Sequence, residues 1–272
     1  MIVVTGATGN VGRPLVAALA SAGERVTAVS RHDGAVPAGV RHVRADLTDP
    51  ASLAPALDGA SAVFLLTSGE FHATGDLGKV VDVIREAGIS RVVLLSSQGV
   101  GSGRHSPALE EAVMSAGLDW TVLRAGGFHS NALQWAESVR AERTVAAPFP
   151  DVALPIVDPA DLADAAAVVL RTAGHGGRVY ELTGPVPVTP REQASAIGDA
   201  LGEPVRFVEL TREQARAALV RFMPEPVADA TLGALGEPEP VERRVSGDLP
   251  RLVGRSAHTF GEWAKRNTAA FQ

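Results

Sequence analysis

The residues best suited to chemistry open the sequence: Thr5-Gly6-Ala7-Thr8-Gly9-Asn10-Val11-Gly12 follows an apolar run directly and leads into a helical one. In such a segment Gly6 permits a tight turn, Gly9 removes a side chain that would block a pyrophosphate, and Gly12 allows close packing of helix and strand. The helix start then offers backbone N–H groups and a positive dipole end to phosphate oxygens. The spacing is Gly-x-x-Gly-x-x-Gly, one residue longer in its first half than the plain dinucleotide fingerprint. The alternative is a strand-to-helix turn that holds nothing. Selectivity is written about 20 residues further on, where an acidic residue hydrogen-bonds the ribose hydroxyls of NAD. Here that position reads Val29-Ser30-Arg31-His32. Arg31 suits the 2′-phosphate of NADP, because a guanidinium grips phosphate as a planar fork. A solvated Arg31, with Asp33 reaching the ribose instead, is the competing assignment. Asp46, after the third apolar run, is expected beside the adenine or, equally, as a cap or turn residue.

What is missing also directs the chemistry. The chain has 272 residues and no cysteine, which removes thiolate nucleophiles, disulfides and cysteine-ligated metals. The single tyrosine, Tyr180, has Gly184 four residues on, and lysine occurs only at Lys79 and Lys265. A Tyr-x-x-x-Lys pair, in which lysine lowers the phenol pKa for proton transfer, cannot be assembled from neighbouring residues. The histidines lack metal-ligand spacing. Asp158, Asp161 and Asp164 recur every third residue around Pro159, a pattern that fits a helix start better than a metal site, and no metal is expected. A net charge of −6 disfavours a nucleic-acid partner. No apolar run approaches the roughly 20 residues that cross a bilayer. Met1-Ile2-Val3-Val4 reads as a strand rather than a signal peptide. These features suit a cytoplasmic protein, and a homodimer is compatible with them.

Several elements must position these residues. Short β-branched runs at 2–5, 25–30, 41–44, 62–66, 92–95 and 121–123 read as buried parallel strands. Helical spacing lies between them at 11–22, 51–57, 77–87 and 108–116, with Gly23, Gly88 and Gly117 placed as left-handed helix stops. The alternation predicts an α/β fold, a Rossmann-type doubly wound parallel sheet. A helix at 161–171 and a strand at 178–182 follow. After Gly184 the texture becomes proline-rich around short helices at 191–201 and 212–220. The expected division is 1–183 as the nucleotide-binding domain and 184–272 as a smaller C-terminal substrate lobe, with interleaving of the two allowed.

Taken together, Thr5 to Gly12, Arg31, Leu94-Leu95-Ser96-Ser97, Gly117 to Arg124 and Tyr180 to Gly184 resemble the NmrA-like branch of the atypical short-chain dehydrogenases/reductases, as far as about Val220. The resemblance implies NADP(H) as preferred cofactor, with NAD(H) as the alternative. It implies contacts at Gly6, Thr8, Gly9, Asn10, Val11, Gly12 and Arg31, and then at Leu66 and Thr67. The nicotinamide end falls near Ser96-Ser97 and Gly126-Gly127-Phe128. The crevice at the carboxyl ends of such strands marks the same neighbourhoods.

Two readings of function follow. In the first, the resemblance points to reduction of a quinone-like or other small conjugated acceptor. Hydride passes directly, and water or a weak acid supplies the proton, so the protein need only position its reactants and exclude solvent. Ser97, Gln98, His105 and His129 carry useful hydrogens there. The plainer roles are a cap for Ser97 and surface positions for the two histidines. In the second reading the protein binds NADP(H) without turnover, as a redox sensor.

Overall fold

The computed structural model describes residues 1–272, apart from the side chains of Glu70 and Ala73. Its strands are β1 (Ile2–Val4), β2 (Val26–Ser30), β3 (Arg41–Arg44), β4 (Ala62–Leu65), β5 (Arg91–Ser97), β6 (Asp119–Ala125), β7 (Thr144–Ala147), β8 (Arg178–Leu182) and β9 (Arg206–Glu209). In the first half the helices are α1 (Gly12–Ser21), α2 (Ala54–Leu57), α3 (Gly69–Thr74), α4 (Leu77–Glu86), α5 (Gln98–Gly101) and α6 (Ala108–Met114). Then come α7 (Ala136–Glu142), α8 (Pro159–Arg171), α9 (Pro190–Leu201), α10 (Arg212–Leu219), α11 (Glu225–Gly236), α12 (Asp248–Val253) and α13 (Phe260–Arg266). Gly23, Gly88 and Gly117 stop α1, α4 and α6 with φ of 80°, 75° and 71°, a conformation that glycine adopts without a Cβ penalty.

The chain does not divide at one boundary between 183 and 184. One compact unit comprises Met1–Ala125, Pro159–Leu182 and Asp248–Arg255, and the other Gly126–Asp158, Thr183–Gly247 and Ser256–Gln272. The reason lies in α8 and β8, which extend the first unit's sheet, and in α12, which packs on both of them.

The first unit is a Rossmann-type α/β structure. Its seven strands run in the order β3-β2-β1-β4-β5-β6-β8, every neighbouring pair parallel. On one face Val3, Val63, Leu65, Val92, Leu94 and Val122 meet Leu53, Leu57, Val80, Val81, Ile84 and Val113. Each fully buried aliphatic side chain of this size contributes about 1.5–3 kcal/mol. Strands alternate their side chains, so the intervening residues serve the other face, where α1 packs on α8 and α8 lies against β4, β5 and β6. β5 and β6 run further than their apolar cores suggest, because they pair residue for residue from Arg91↔Asp119 to Ser97↔Ala125. That ladder holds polar ends which hydrophobic patterning alone leaves as loop. The order reverses on either side of β1 and β4, and a crevice opens at the carboxyl ends of strands where this happens.

The second unit has a parallel β7–β9 pair, in register from Thr144↔Arg206 to Ala147↔Glu209. Helix α9 covers the pair and α13 packs on α9. Val139, Val145, Ile197, Phe260, Trp263 and Phe271 form its core.

Candidate cofactor and acceptor site

At the crevice the glycine loop is held by contacts that leave no room for side chains. Gly6 has φ of 61°, and a Cβ there would stand 2.8 Å from Leu66 Cδ2. A Cβ on Gly12 would lie 2.1 Å from the Gly6 carbonyl oxygen, and one on Gly9 would lie 3.3 Å from it. The segment therefore folds as a turn drawn against the first residues of α1. That helix begins at Gly12 with no side chain capping its N-terminus, and the Gly9 and Arg13 amides donate to the Gly6 and Gly9 carbonyls at 3.0 Å each; a helix start without a side-chain cap can offer its remaining amides to a ligand. Val11 is buried, so its contribution to a ligand is its backbone amide.

Thr5, which sequence reasoning passed over, ties this loop to the next strand. Its hydroxyl donates to the carbonyls of Phe64 and Leu66, at 3.1 and 3.3 Å, and accepts from the Leu66 amide at 2.8 Å. Thr5, Gly6, Thr8 and Gly9 thereby share one cavity of about 250 Å³ with Arg31, Asp46, Leu66 and Thr67. The expected nucleotide residues from β1, β2, β3 and β4 are thus brought together. A dinucleotide fits what is present: a bare loop, an uncapped helix and a cationic rim.

The rim holds a second arginine. Arg44 ends β3 opposite Ser30 of β2, and its Nε donates to the Arg31 carbonyl at 2.9 Å. Arg31, His32, Arg44, Asp46 and Ser52 line a shallow hollow beside the cavity. The signal for Arg44 was its place at a strand end next to the one bearing Arg31. Asp46 takes the turn role: its carboxylate accepts the Thr48 amide at 2.9 Å. That hydrogen bond is the chief reason its pKa lies below the ordinary aspartate value.

Beyond β5 the adjacent serines diverge, as alternation along a strand requires. Ser96 was expected at the cofactor, but its hydroxyl donates to Glu110 Oε1 at 2.6 Å. Glu110 is buried and bound through two oxygens by Arg124, whose Nη2 is 2.7 Å from Oε2 and whose Nη1 is 3.6 Å from Glu181. Ser96 thus belongs to a charged network under the strand ends, and Glu110 is the main reason the Arg124 pKa is raised.

Ser97 caps α5 by accepting the Gly99 amide at 3.1 Å, and also meets His105 Nδ1 at 2.9 Å. His105 returns to this place because its amide donates to the Gly99 carbonyl at 2.9 Å and its ring lies on Gly99, where a Cβ would stand 2.5 Å from Nδ1. His72, which sequence reasoning set aside, is held in the same way on the neighbouring strand end, its Nε2 being 3.1 Å from Thr67 Oγ1.

The next expected residues follow β6, whose last residue, Ala125, pairs with Ser97. Gly126, Gly127 and Phe128 open the second unit, where the Gly127 carbonyl accepts the Val157 amide at 2.7 Å. His129 is 1% exposed and packs edge-on to Phe260, with ring centroids 5.3 Å apart. It is buried against aromatic side chains of that unit, not at the surface position that was its plainer role. Tyr180 meets His175 Nδ1 at 2.8 Å on β8, and Lys79 pairs with Asp76. Asp161 and Asp164 are bound by Arg255 at 2.8 and 2.5 Å. Among the described residues no helix is long and apolar enough to cross a membrane.

Comparison with known proteins adds four findings. A sequence model of the NAD(P)H-binding family matches residues 6–173. The chain is 36% identical to (4-alkanoyl-5-oxo-2,5-dihydrofuran-3-yl)methyl phosphate reductase of Streptomyces griseus, over 100% of this chain and 99% of that protein. It is 32% identical to NAD(P)H azoreductase of Xenophilus azovorans, again over 100% and 99%. Among solved structures, the NADPH-dependent quinone oxidoreductase of Escherichia coli, crystallised with NADPH, superposes with a TM-score of 0.81 at 26% identity, covering 98% of this chain and 99% of that one.

Proposed function

The chain belongs to the NAD(P)H-binding family, and from that premise we propose that it is an NADP(H)-dependent reductase of a small conjugated acceptor. The observation that carries this reading is the crevice itself. An uncapped helix behind a bare glycine loop, two arginines on its rim and a hydroxyl–imidazole pair on the next strand end lie along one row of strand termini. The relatives named above are reductases of an unsaturated lactone phosphate, an azo compound and a quinone. Each of those acceptors is conjugated, and each stabilises the negative charge that arriving hydride leaves behind.

When bound, the reduced nicotinamide supplies a hydride, and the protein supplies everything else. The glycine loop and the N-terminal end of α1 would hold the pyrophosphate, while Arg31 and Arg44 would hold a 2′-phosphate, which favours NADP(H) over NAD(H). Asp46, Leu66 and Thr67 border the nucleoside. At the other end Ser97 orients His105, whose Nε2–H donates a hydrogen bond to the acceptor oxygen that gains the electron pair, and solvent supplies the proton. An acceptor whose reduced anion is already stable needs no Tyr–Lys pair. The cytoplasm, where NADPH is regenerated, is the matching location.

The test is loss of NADPH absorbance with a menadione, azo-dye and acylbutenolide panel. Turnover of at least one, reduced about tenfold or more in His105→Ala, is expected. Tight NADPH binding without turnover of any would replace this reading with that of a binding protein that senses the cofactor.

A further inference from the structure

The two hydroxyl-tethered histidines at the mouth of the crevice form a pair. Thr67 lies two residues past the end of β4, and Ser97 ends β5, its immediate parallel neighbour through Leu65↔Leu94. Each hydroxyl engages one ring nitrogen, His72 Nε2 at 3.1 Å and His105 Nδ1 at 2.9 Å, so each imidazole presents its other nitrogen outward. Both histidines are exposed, and Thr67 also lines the cofactor cavity. The pair is therefore accessible, with Thr67 on the nucleoside side of the crevice and Ser97 on the next strand along the row, on the acceptor side. Their proximity is felt electrostatically. The His72 pKa lies below the ordinary histidine value, first through loss of solvation and then through the charge on His105. The lowered pKa favours the uncharged ring of His72, which then acts as an N–H donor.

Resting on the reductase reading, we propose that His72, positioned by Thr67, is a second acceptor-oxygen subsite beside Ser97–His105, so that the preferred acceptor is a conjugated compound carrying two oxygens on one edge. In the tautomers this requires, the serine and threonine hydroxyls donate to the inner nitrogens, and His72 Nδ1–H and His105 Nε2–H point at the acceptor. Hydride adds to the conjugated carbon and the displaced electron pair delocalises over both oxygens. Hydrogen bonds from His105 Nε2–H and His72 Nδ1–H hold the two oxygens, and solvent supplies the proton that completes the reduction. A 1,3-dicarbonyl such as an acylated unsaturated lactone, or a quinone with neighbouring oxygens, has this character. An isolated enone engages only one of the two donors.

The test compares wild type with His72→Ala and His72→Gln on α-acetylbutenolide and on the unsubstituted butenolide, with NADPH affinity as the check on folding. The expected result is that the kcat/KM preference for the acetylated lactone over the plain one falls about tenfold or more, the effect of one hydrogen bond to developing charge. A second readout needs no turnover. In the NADP⁺ complex, saturated α-acetylbutyrolactone should shift the ring resonances of both His72 and His105 in wild type. An unchanged preference in the variants, or a shift confined to His105, overturns the proposal while leaving the reductase reading in place. Failure of wild type to reduce either lactone or any quinone, with NADPH bound, removes both.

Discussion

Arg31 and Arg44 stand on neighbouring strand ends, and the backbone carbonyl of one anchors the guanidinium of the other. Such an arrangement divides a phosphate's charge between two forks, so neither residue alone should account for selectivity. Arg31→Ala and Arg44→Ala are each expected to weaken NADPH binding by about 1.5–3 kcal/mol, as for a charge-assisted hydrogen bond, and to leave NADH affinity nearly unchanged. Fluorescence titration with both nucleotides decides it, and parallel losses for NADH would place the arginines on the shared part of the cofactor. A different residue, His175, bears on pH. Its pKa is lowered, first by burial and then by Arg91. The unfolded chain, with an ordinary histidine near 6.5, takes up a proton that the folded state resists. Stability is accordingly intact above that value and declines as pH falls through it toward the lower folded pKa. His175→Asn should flatten that part of the curve in urea titrations across pH 5–7.5, and an unaltered slope would assign it to another group.

At the scale of elements the crevice depends on backbone approaches as much as on side chains. Gly12→Ala puts a methyl within 2.1 Å of the Gly6 oxygen. It should cost about 1–3 kcal/mol through overpacking and abolish dinucleotide binding, as seen in thermal melts with and without NADPH. Gly99→Ala displaces the His105 ring from Ser97 and should lower acceptor turnover as far as His105→Ala does, with NADPH affinity retained. Beneath the strand ends, Glu110→Ala leaves the Arg124 guanidinium without its main partner at a site where Glu110 is 3% exposed. A loss of about 3 kcal/mol in denaturant stability is the expected size for breaking a buried pair.

Much of this was legible in the sequence because its causes are local. The β-branched runs, the glycines that stop α1, α4 and α6, and the Thr5–Gly12 loop each carry their own short-range signal. Ser96 could not be separated from Ser97 without knowing which face each presents, and Glu110, 14 positions away, gives no hint that it accepts the Ser96 hydroxyl. His72 and His105 were passed over or left ambiguous for a related reason. No spacing rule links them, and only the parallel pairing of β4 with β5 makes their supporting hydroxyls neighbours. The burial of His129 was not legible either, because a histidine just past a strand end looks the same in sequence whether it lies at the surface or, as here, against Phe260 and Trp263.

For the molecule as a whole, the sheet unit is completed by chain that arrives late. Arg255 binds Asp161, which is wholly buried, at 2.8 Å, and the Asp248 carboxylate accepts the Glu181 amide at 2.9 Å. A fragment ending at residue 183 lacks both partners and leaves a carboxylate sealed in the sheet unit with no counter-charge. It is expected to be insoluble or molten by circular dichroism, and a cooperative melt from that fragment would show that the late segment is dispensable.

The passage of the chain between units after residues 125, 158, 182, 247 and 255 has a consequence for how such a protein can diversify. A single crossover between two related genes, wherever it falls, cannot exchange one unit intact for another, because each is encoded in three separate stretches. Such a pair of units is instead open to change by point substitutions within a fixed weave.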